Sequence, residues 1–341
     1  MRSGILSIGV YIPSLRLKTS EIANVWGKDN SVVASLGVLE KSVADLDEDS
    51  FTMGLESAFN AISKFNIEKN KIKRVFFGSE SGAYAVKPTS VMIADYLGIK
   101  GEYLAYDTQF ACKSATSALI SAFESTFVNK DEFSLVIASD KALGKPSDAL
   151  EFTAGSGAGS VVVGSSDNLL LELEGYASFA TDTSDFWRKQ HSKFPAHAGR
   201  FSGEPAYFYH IKSAVAILFK KIDLKVQDYD YVVFHTPNAK FPVKIALSLG
   251  FSLDQVTPSL IVSKIGNCYS ASTFLSLSAV LQIVKPGDRI LLVSYGSGAG
   301  SDAFSFKVSD FINEYESELD NYLNNKKYIS YVDYLKAIGQ L

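Results

Sequence analysis

One pattern of strands and helices runs through this chain twice, and that repetition limits its architecture more than any other feature. The apolar run Val75-Phe76-Phe77 delivers Gly78-Ser79-Glu80, and Tyr231-Val232-Val233-Phe234 delivers His235. A strand-like run from Gly101 to Tyr106 precedes Cys112, after which small and apolar residues continue at helical spacing to about Phe127. Asn267-Cys268 opens a similar helix. Phe77 and Phe234 stand 157 residues apart, and Cys112 and Cys268 stand 156 apart. Gly157-Ala158-Gly159-Ser160 recurs as Gly298-Ala299-Gly300-Ser301 at an offset of 141. Near-constant offsets at two anchors, shortened at the third, are what an old duplication leaves. Strands alternating with helices predict a layered α/β protein of two similar halves. The expected divisions are 1–166, 167–310 and a charged, aromatic tail at 311–341. Both Gly-Ala-Gly-Ser segments read as tight turns beside a pocket. The tail reads as helical packing on a neighbour or subunit.

Composition narrows the function. Apolar residues make up 47% and charged residues 21%, which suits an ordered chain with a sizeable core. A formal charge of -4 gives no reason to expect nucleic-acid binding. Two cysteines do not make a disulfide framework and suit a reducing compartment. No apolar run is long enough to span a membrane, and Met1 to Val10 reads as a first strand, so the cytoplasm is expected. Four scattered histidines form no short metal-ligand spacing.

Glu80, Cys112 and His235 fall at strand ends or helix starts, where ligands of α/β proteins commonly bind. A cysteine at a strand-to-helix junction meets unpaired backbone N–H groups that favour its thiolate, and a thiolate accepts acyl groups. A carboxylate beside the resulting thioester could take a proton from the acyl methyl group. Histidine and asparagine donors, here His235 and Asn267, could hold a second carbonyl oxygen. This set suggests carbon–carbon bond formation on an acyl-enzyme. Each residue also has a plainer reading. Glu80 could cap a helix or pair with Lys87, His235 could be a satisfied strand-end histidine, and Asn267 could be only a helix cap. Cys268 reads as a small packing residue. The long stretch Thr181 to Ala206, rich in aromatics and cations, is either a functional loop or a cover.

At these residues the sequence closely resembles the archaeal type of 3-hydroxy-3-methylglutaryl-coenzyme A (HMG-CoA) synthase, in the thiolase superfamily. The pieces are GSES with YAVKPT, FACKSAT, DALEFTAGSGAG, TDTSDFWR, GRFSGEPAYF, FHTPNAKFP, GNCYS and VSYGSGAGSDAFS. The resemblance covers about residues 3–308. It implies a five-layer αβαβα thiolase-like fold, usually dimeric, that condenses acetyl-CoA with acetoacetyl-CoA and water. It further implies that Cys112 accepts the acetyl group, Glu80 is the general acid/base, His235 binds acetoacetyl-CoA and Asn267 positions its carbonyl. Backbone N–H groups of Cys112 and of the Gly296-Ser297-Gly298 turn, Ser297 included, would form an oxyanion hole. No cofactor is implied beyond the two CoA substrates. Lys240 and Lys244, four apart on one helical face, are the candidates for contacting the CoA phosphates.

Two positions depart from the family pattern: Gln109 stands where a glutamate is frequent, and Gly82-Ala83 where a histidine-proline pair is frequent. The family also implies a homodimer or higher oligomer. Its partners would be an acetoacetyl-CoA thiolase and a small zinc-ribbon/OB-fold bridging protein, with no nucleic acid or membrane. The nearest rival is a chain-initiating ketoacyl synthase, which shares the cysteine, histidine and asparagine but makes a linear product. A non-catalytic scaffold would not need all four polar groups.

Overall fold

Short apolar runs form strands here because both of their faces are covered. Along Phe133–Lys141, Leu135 and Ile137 enter one apolar cluster while Val136 and Ala138 enter another. Along Arg289–Val293, Ile290 and Leu292 likewise part from Leu291 and Val293. A strand buried on both sides reads as a continuous hydrophobic run.

The computed structural model describes residues 2–341. Nine strands share one hydrogen-bond ladder. They are β1 (Arg2–Tyr11), β2 (Ile72–Gly78), β3 (Leu104–Thr108), β4 (Phe133–Lys141), β5 (Ser156–Ser166), β6 (Leu171–Ala180), β7 (Tyr231–Phe234), β8 (Arg289–Val293) and β9 (Gly300–Val308). Their spatial order is β7-β8-β9-β6-β1-β5-β4-β2-β3. The halves meet at β1 and β6, through the pairs Gly4–Glu172 and Ile5–Leu171. Outward from that seam both halves repeat one scheme. β5 and β9 are antiparallel to the seam strands, β4 and β8 are antiparallel to these, and β2 and β7 are parallel to β4 and β8.

Helices fill the layers between and outside. α1 (Ser50–Lys64) and α2 (Thr89–Tyr96) cover the first half through Ile62 and Ile93. α3 (Ser114–Val128) lies between the halves, where Leu119 and Phe123 share a cluster with Val136 and Phe304. α4 (Tyr209–Ile222) and α5 (Lys240–Leu249) cover the second half through Ile211, Leu218 and Ile245. α6 (Ser272–Val280) joins α3 in the middle, and every one of its residues is buried. A helix buried all round belongs in such a central layer. The result is the expected αβαβα arrangement. No helix among the described residues is long and apolar enough to cross a membrane.

The structure departs from the sequence reading in three places. First, Gly157-Ala158-Gly159 lies inside β5 and is not a turn. A Cβ on Gly159 would come 2.8 Å from that of Phe274, so glycine lets α6 approach the sheet. Second, β3 has no counterpart in the other half. The matching stretch forms short helical turns at Leu253–Val256, Thr257–Ser259 and Val262–Ile265, with Pro258 inside. Proline has no N–H for a strand ladder. Third, the tail packs on its own chain. Lys327–Tyr328 pairs with Leu15–Lys18, which in turn pairs with Glu40–Val43.

That tail is anchored by a buried carboxylate. Glu151 accepts hydrogen bonds from Tyr331 Oη at 2.8 Å and from Trp26 Nε1 at 3.1 Å, while Lys41 Nζ donates to its carbonyl and lies 3.1 Å from Tyr334 Oη. Tyr331→Phe leaves one oxygen of a buried carboxylate short of a donor. The expected loss of stability in chemical denaturation is about 1–3 kcal/mol.

Candidate active site

β2 and β4 run parallel and end beside the approach to α3, and His235 after β7 lines the same cavity as Cys112 although β7 runs the opposite way in the ladder. Gly78 permits this closeness, since a Cβ there would lie 2.3 Å from the backbone N of Ala115. Cys112 stands two residues before α3 in a tight turn. Ala111 takes φ 43°, a left-handed conformation that costs an alanine about 1–2 kcal/mol. Ser114 holds it: its N–H and hydroxyl both donate to the Ala111 carbonyl, and its Oγ accepts from Phe110 N.

Cys112 Sγ donates to Glu80 Oε1 across 3.4 Å. Burial pushes the Glu80 carboxyl up to about 8; the Asp140 charge adds to this, and the Cys112 hydrogen bond and Arg188 oppose it. Burial and the Glu80 charge also raise the Cys112 thiol well above its usual range, while a hydrogen bond with Asn267 opposes them. Glu80 is therefore the first of the pair to ionise, and its charge holds the Cys112 thiol in the protonated form.

His235 is only 1% exposed. Its N–H donates to the Val293 carbonyl at 2.8 Å, and its carbonyl accepts from Tyr207 Oη at 2.7 Å. Nδ1 has no partner among the described residues, and burial lowers the ring to about 3, so the imidazole stays neutral at ordinary pH. Asn267 Oδ1 accepts from Tyr269 N and Ser272 Oγ, which fixes the side chain in the turn before α6 without making it that helix's N-cap, and its amide faces Cys112.

Cys112, His235, Asn267 and Ser297 line one cavity of about 280 Å³. The long connector contributes Phe186, His197 and Ser202 to it, so it is a wall of the site and not a mere cover. The backbone N–H groups of Cys112 and Ser297 have no acceptor among the described residues, whereas that of Gly298 donates to Asp185. Asn238 and Phe241 extend the cavity toward α5. Lys240 and Lys244 are exposed on that helix, and Lys244 is engaged with Glu204 at 3.3 Å and with the Phe208 ring. Cys268 is fully buried, its thiol pushed up to about 12 by burial. Among the described residues no group of three His, Cys, Asp or Glu is placed to hold a metal.

Sequence reasoning passed over Asp140. Its Oδ1 accepts from Ser79 Oγ, Glu80 N, Ser81 N and Ser81 Oγ, and its Oδ2 from Ser270 N and Ser270 Oγ, at 2.6–3.0 Å. The signal was its place at the end of a strand beside β2, the position that singles out Glu80. Asp140→Asn substitutes an NH2 for one acceptor in a ring of donors. We expect it to cost about 3–5 kcal/mol in denaturation, and to slow turnover further in the fraction that remains folded.

The pattern of the hydroxymethylglutaryl-coenzyme A synthase N-terminal family matches residues 1–168, and that of the 3-oxoacyl-[acyl-carrier-protein] synthase III C-terminal family matches residues 219–308. The hydroxymethylglutaryl-CoA synthase of Thermococcus onnurineus (strain NA1) is 47% identical over 338 residues, covering 98% of this chain and 95% of its own. That of Methanopyrus kandleri (strain AV19) is 45% identical over 344 residues, covering 100% and 98%. A crystal structure of an HMG-CoA synthase complexed with CoA superposes with a TM-score of 0.91 at 28% identity, covering 99% of this chain and 90% of the other. Near-complete coverage at this identity leaves one assignment: the chain belongs to the hydroxymethylglutaryl-CoA synthase family.

Proposed function

We propose that this chain condenses acetyl-CoA with acetoacetyl-CoA and water to give HMG-CoA and CoA, the condensing step of the mevalonate pathway. The observation that carries the reading is the 3.4 Å contact between Glu80 and Cys112. Cys112 attacks the acetyl thioester and takes the acetyl group, and its thiol proton leaves on the sulfur of the released CoA. The Glu80 carboxylate then faces the methyl of acetyl-Cys112 and removes a proton from it. The carbanion adds to the ketone of acetoacetyl-CoA, and Glu80 returns its proton to the new alkoxide.

His235 and Asn267 bind that ketone oxygen. A neutral imidazole donates a hydrogen bond without bringing a charge that the buried site would have to solvate. The unpartnered N–H groups of Cys112 and Ser297 serve the thioester oxygen. Lys240 is the candidate for the CoA phosphates, with Lys244 available only on leaving Glu204. Linear condensation, suggested by the match of the second half, calls on the cysteine, histidine and asparagine but leaves no task for Glu80.

The same reading includes a homodimer. β3 is an edge strand with one ladder face open, and exposed Leu104, Tyr84, Val86 and Tyr96 lie on or near it. Open apolar edges invite pairing with a second copy. A complex with an acetoacetyl-CoA thiolase and a bridging protein would pull an unfavourable precursor reaction forward by consuming its product.

Three measurements test this reading. Glu80→Gln should still acquire one acetyl group on Cys112 by intact mass, while HMG-CoA formation falls about 10²–10⁴-fold; near-normal condensation removes Glu80 from the mechanism. In the native enzyme the condensation rate should climb as pH rises toward about 8, because the basic form of Glu80 accumulates, with no loss from His235 above pH 5. Leu104→Asp places a charge on the open edge and should shift the protein toward monomer in sedimentation analysis. An unchanged mass distribution would place the interface elsewhere.

A further inference from the structure

The final chemical step needs water at a moment when the main cavity is full. On the reading above, the product is still attached to Cys112 as a thioester while its CoA arm extends over His235, Asn238 and Phe241. Cys112 is 7% exposed, so bulk solvent does not reach the sulfur freely. Water must therefore come from another side.

A second cavity of about 350 Å³ meets that need. Glu80, Gln109, Trp187 and Arg188 line it, and it shares only the walls Phe186 and Ser297 with the first. Gln109 and Arg188 are exposed and Trp187 is 43% exposed, so this cavity opens to solvent. Its inner wall includes Glu80, half-buried, whose Oε1 lies 3.4 Å from Cys112 Sγ. Arg188 Nη2 donates to the Glu80 carbonyl at 2.8 Å and ties the rim to the base. A carboxylate, an amide and a guanidinium offer water partners along the whole path.

We propose that the water that hydrolyses the Cys112 thioester enters through this second cavity, so that CoA and water reach the sulfur by separate routes. Glu80, back in its carboxylate form after protonating the alkoxide, takes one proton from the water. The hydroxide oxygen bonds to the thioester carbonyl carbon, and the C–S bond breaks with its electron pair going to sulfur. Cys112 then recovers the proton from Glu80. The second water proton leaves as the new carboxylic acid ionises, and nothing is oxidised or reduced.

The test uses the assembled protein, because a partner copy along β3 would come close to the rim at Gln109. Acetyl-enzyme is formed with acetyl-CoA and freed of excess, and loss of the acetyl mass is followed with and without saturating desulfo-CoA, which lacks the thiol needed for back-transfer. Inhibition of acetylation by desulfo-CoA confirms that it occupies the main cavity. The acetyl group should decay at the same rate in both samples. In parallel, Gln109→Phe narrows the second cavity without touching the reacting groups. With both substrates present, its acetylation rate should match wild type while the covalent HMG-CoA adduct on Cys112 accumulates severalfold. Trp187→Ala, which widens the cavity, should shorten the life of the acetyl-enzyme. Protection of the acetyl group by desulfo-CoA, or a Gln109→Phe enzyme with no accumulated adduct, overturns the separate route. Failure of wild type to acetylate Cys112 at all would instead overturn the condensing reading itself.

Discussion

A buried carboxylate, Asp140, joins the two halves where the chemistry takes place. Asp140 ends β4 and gathers the Ser79–Ser81 loop on one oxygen and Ser270 on the other. The first group of donors belongs to the turn that carries Glu80, and the second to the turn between Asn267 and α6. Ser270 Oγ also reaches the Gly78 carbonyl, closing the loop on β2 itself. Hydrogen bonds to a charged, desolvated acceptor are strong and directional. They convert a contact between halves into a fixed separation between Glu80 and Asn267. The apolar central layer supplies most of the adhesion, yet apolar packing alone does not specify a position to within a hydrogen bond.

Burial does the rest of the electrostatic work. The same loss of water that raises Glu80 and Cys112 lowers His235, so each group is more neutral than it would be in solution. For the acid and thiol in contact, this means that the thiol stays protonated while Glu80 is the group that ionises first. For the imidazole it means a hydrogen-bond donor without a charge. A second joint supports this arrangement from behind the nucleophile. Lys113 and Asp302, both almost fully buried, form a 3.0 Å ion pair between the Cys112 turn and β9, and Thr116 Oγ1 also donates to Asp302. The Gly296 turn packs directly against Lys113 and holds Ser297 near Cys112.

The duplication, the alternating strands and the four polar groups were legible because each depends on local pattern: apolar runs of strand length, small residues after Cys112, polar groups at run ends. What remained hidden depended on packing between distant segments. Gly157 to Gly159 looks like its counterpart in sequence, but only the position of α6 decides that one copy is a strand and the other a turn. Asp140 reads as an ordinary polar strand end until Ser270, 130 residues later, is brought against it. The tail reads as packing on a neighbour or subunit because its partner Glu151 lies 180 residues before Tyr331 and nothing local links the two. The missing second copy of β3 could have been suspected from Pro258, since proline rarely occupies a central strand.

The symmetry of the fold also accounts for the division of chemical labour. β2 and β7 are equivalent strands, and the turns after them carry Glu80 and His235. The segments before α3 and α6 are equivalent, and they carry Cys112 beside Ala111 and Cys268 beside Asn267. In an undiverged pair of halves, two like groups would face each other across the seam, either two carboxylates in repulsion or two thiols competing for one acyl group. Divergence removed both conflicts. The first half retains the nucleophile and its base in contact, while the second offers a neutral imidazole and an amide, and its cysteine is withdrawn into the core. A condensation needs a carbanion on one partner and a polarised carbonyl on the other, two opposite electrostatic environments a few ångströms apart. A pseudo-twofold seam provides them from two copies of one scaffold, provided that the residues at equivalent positions are no longer the same.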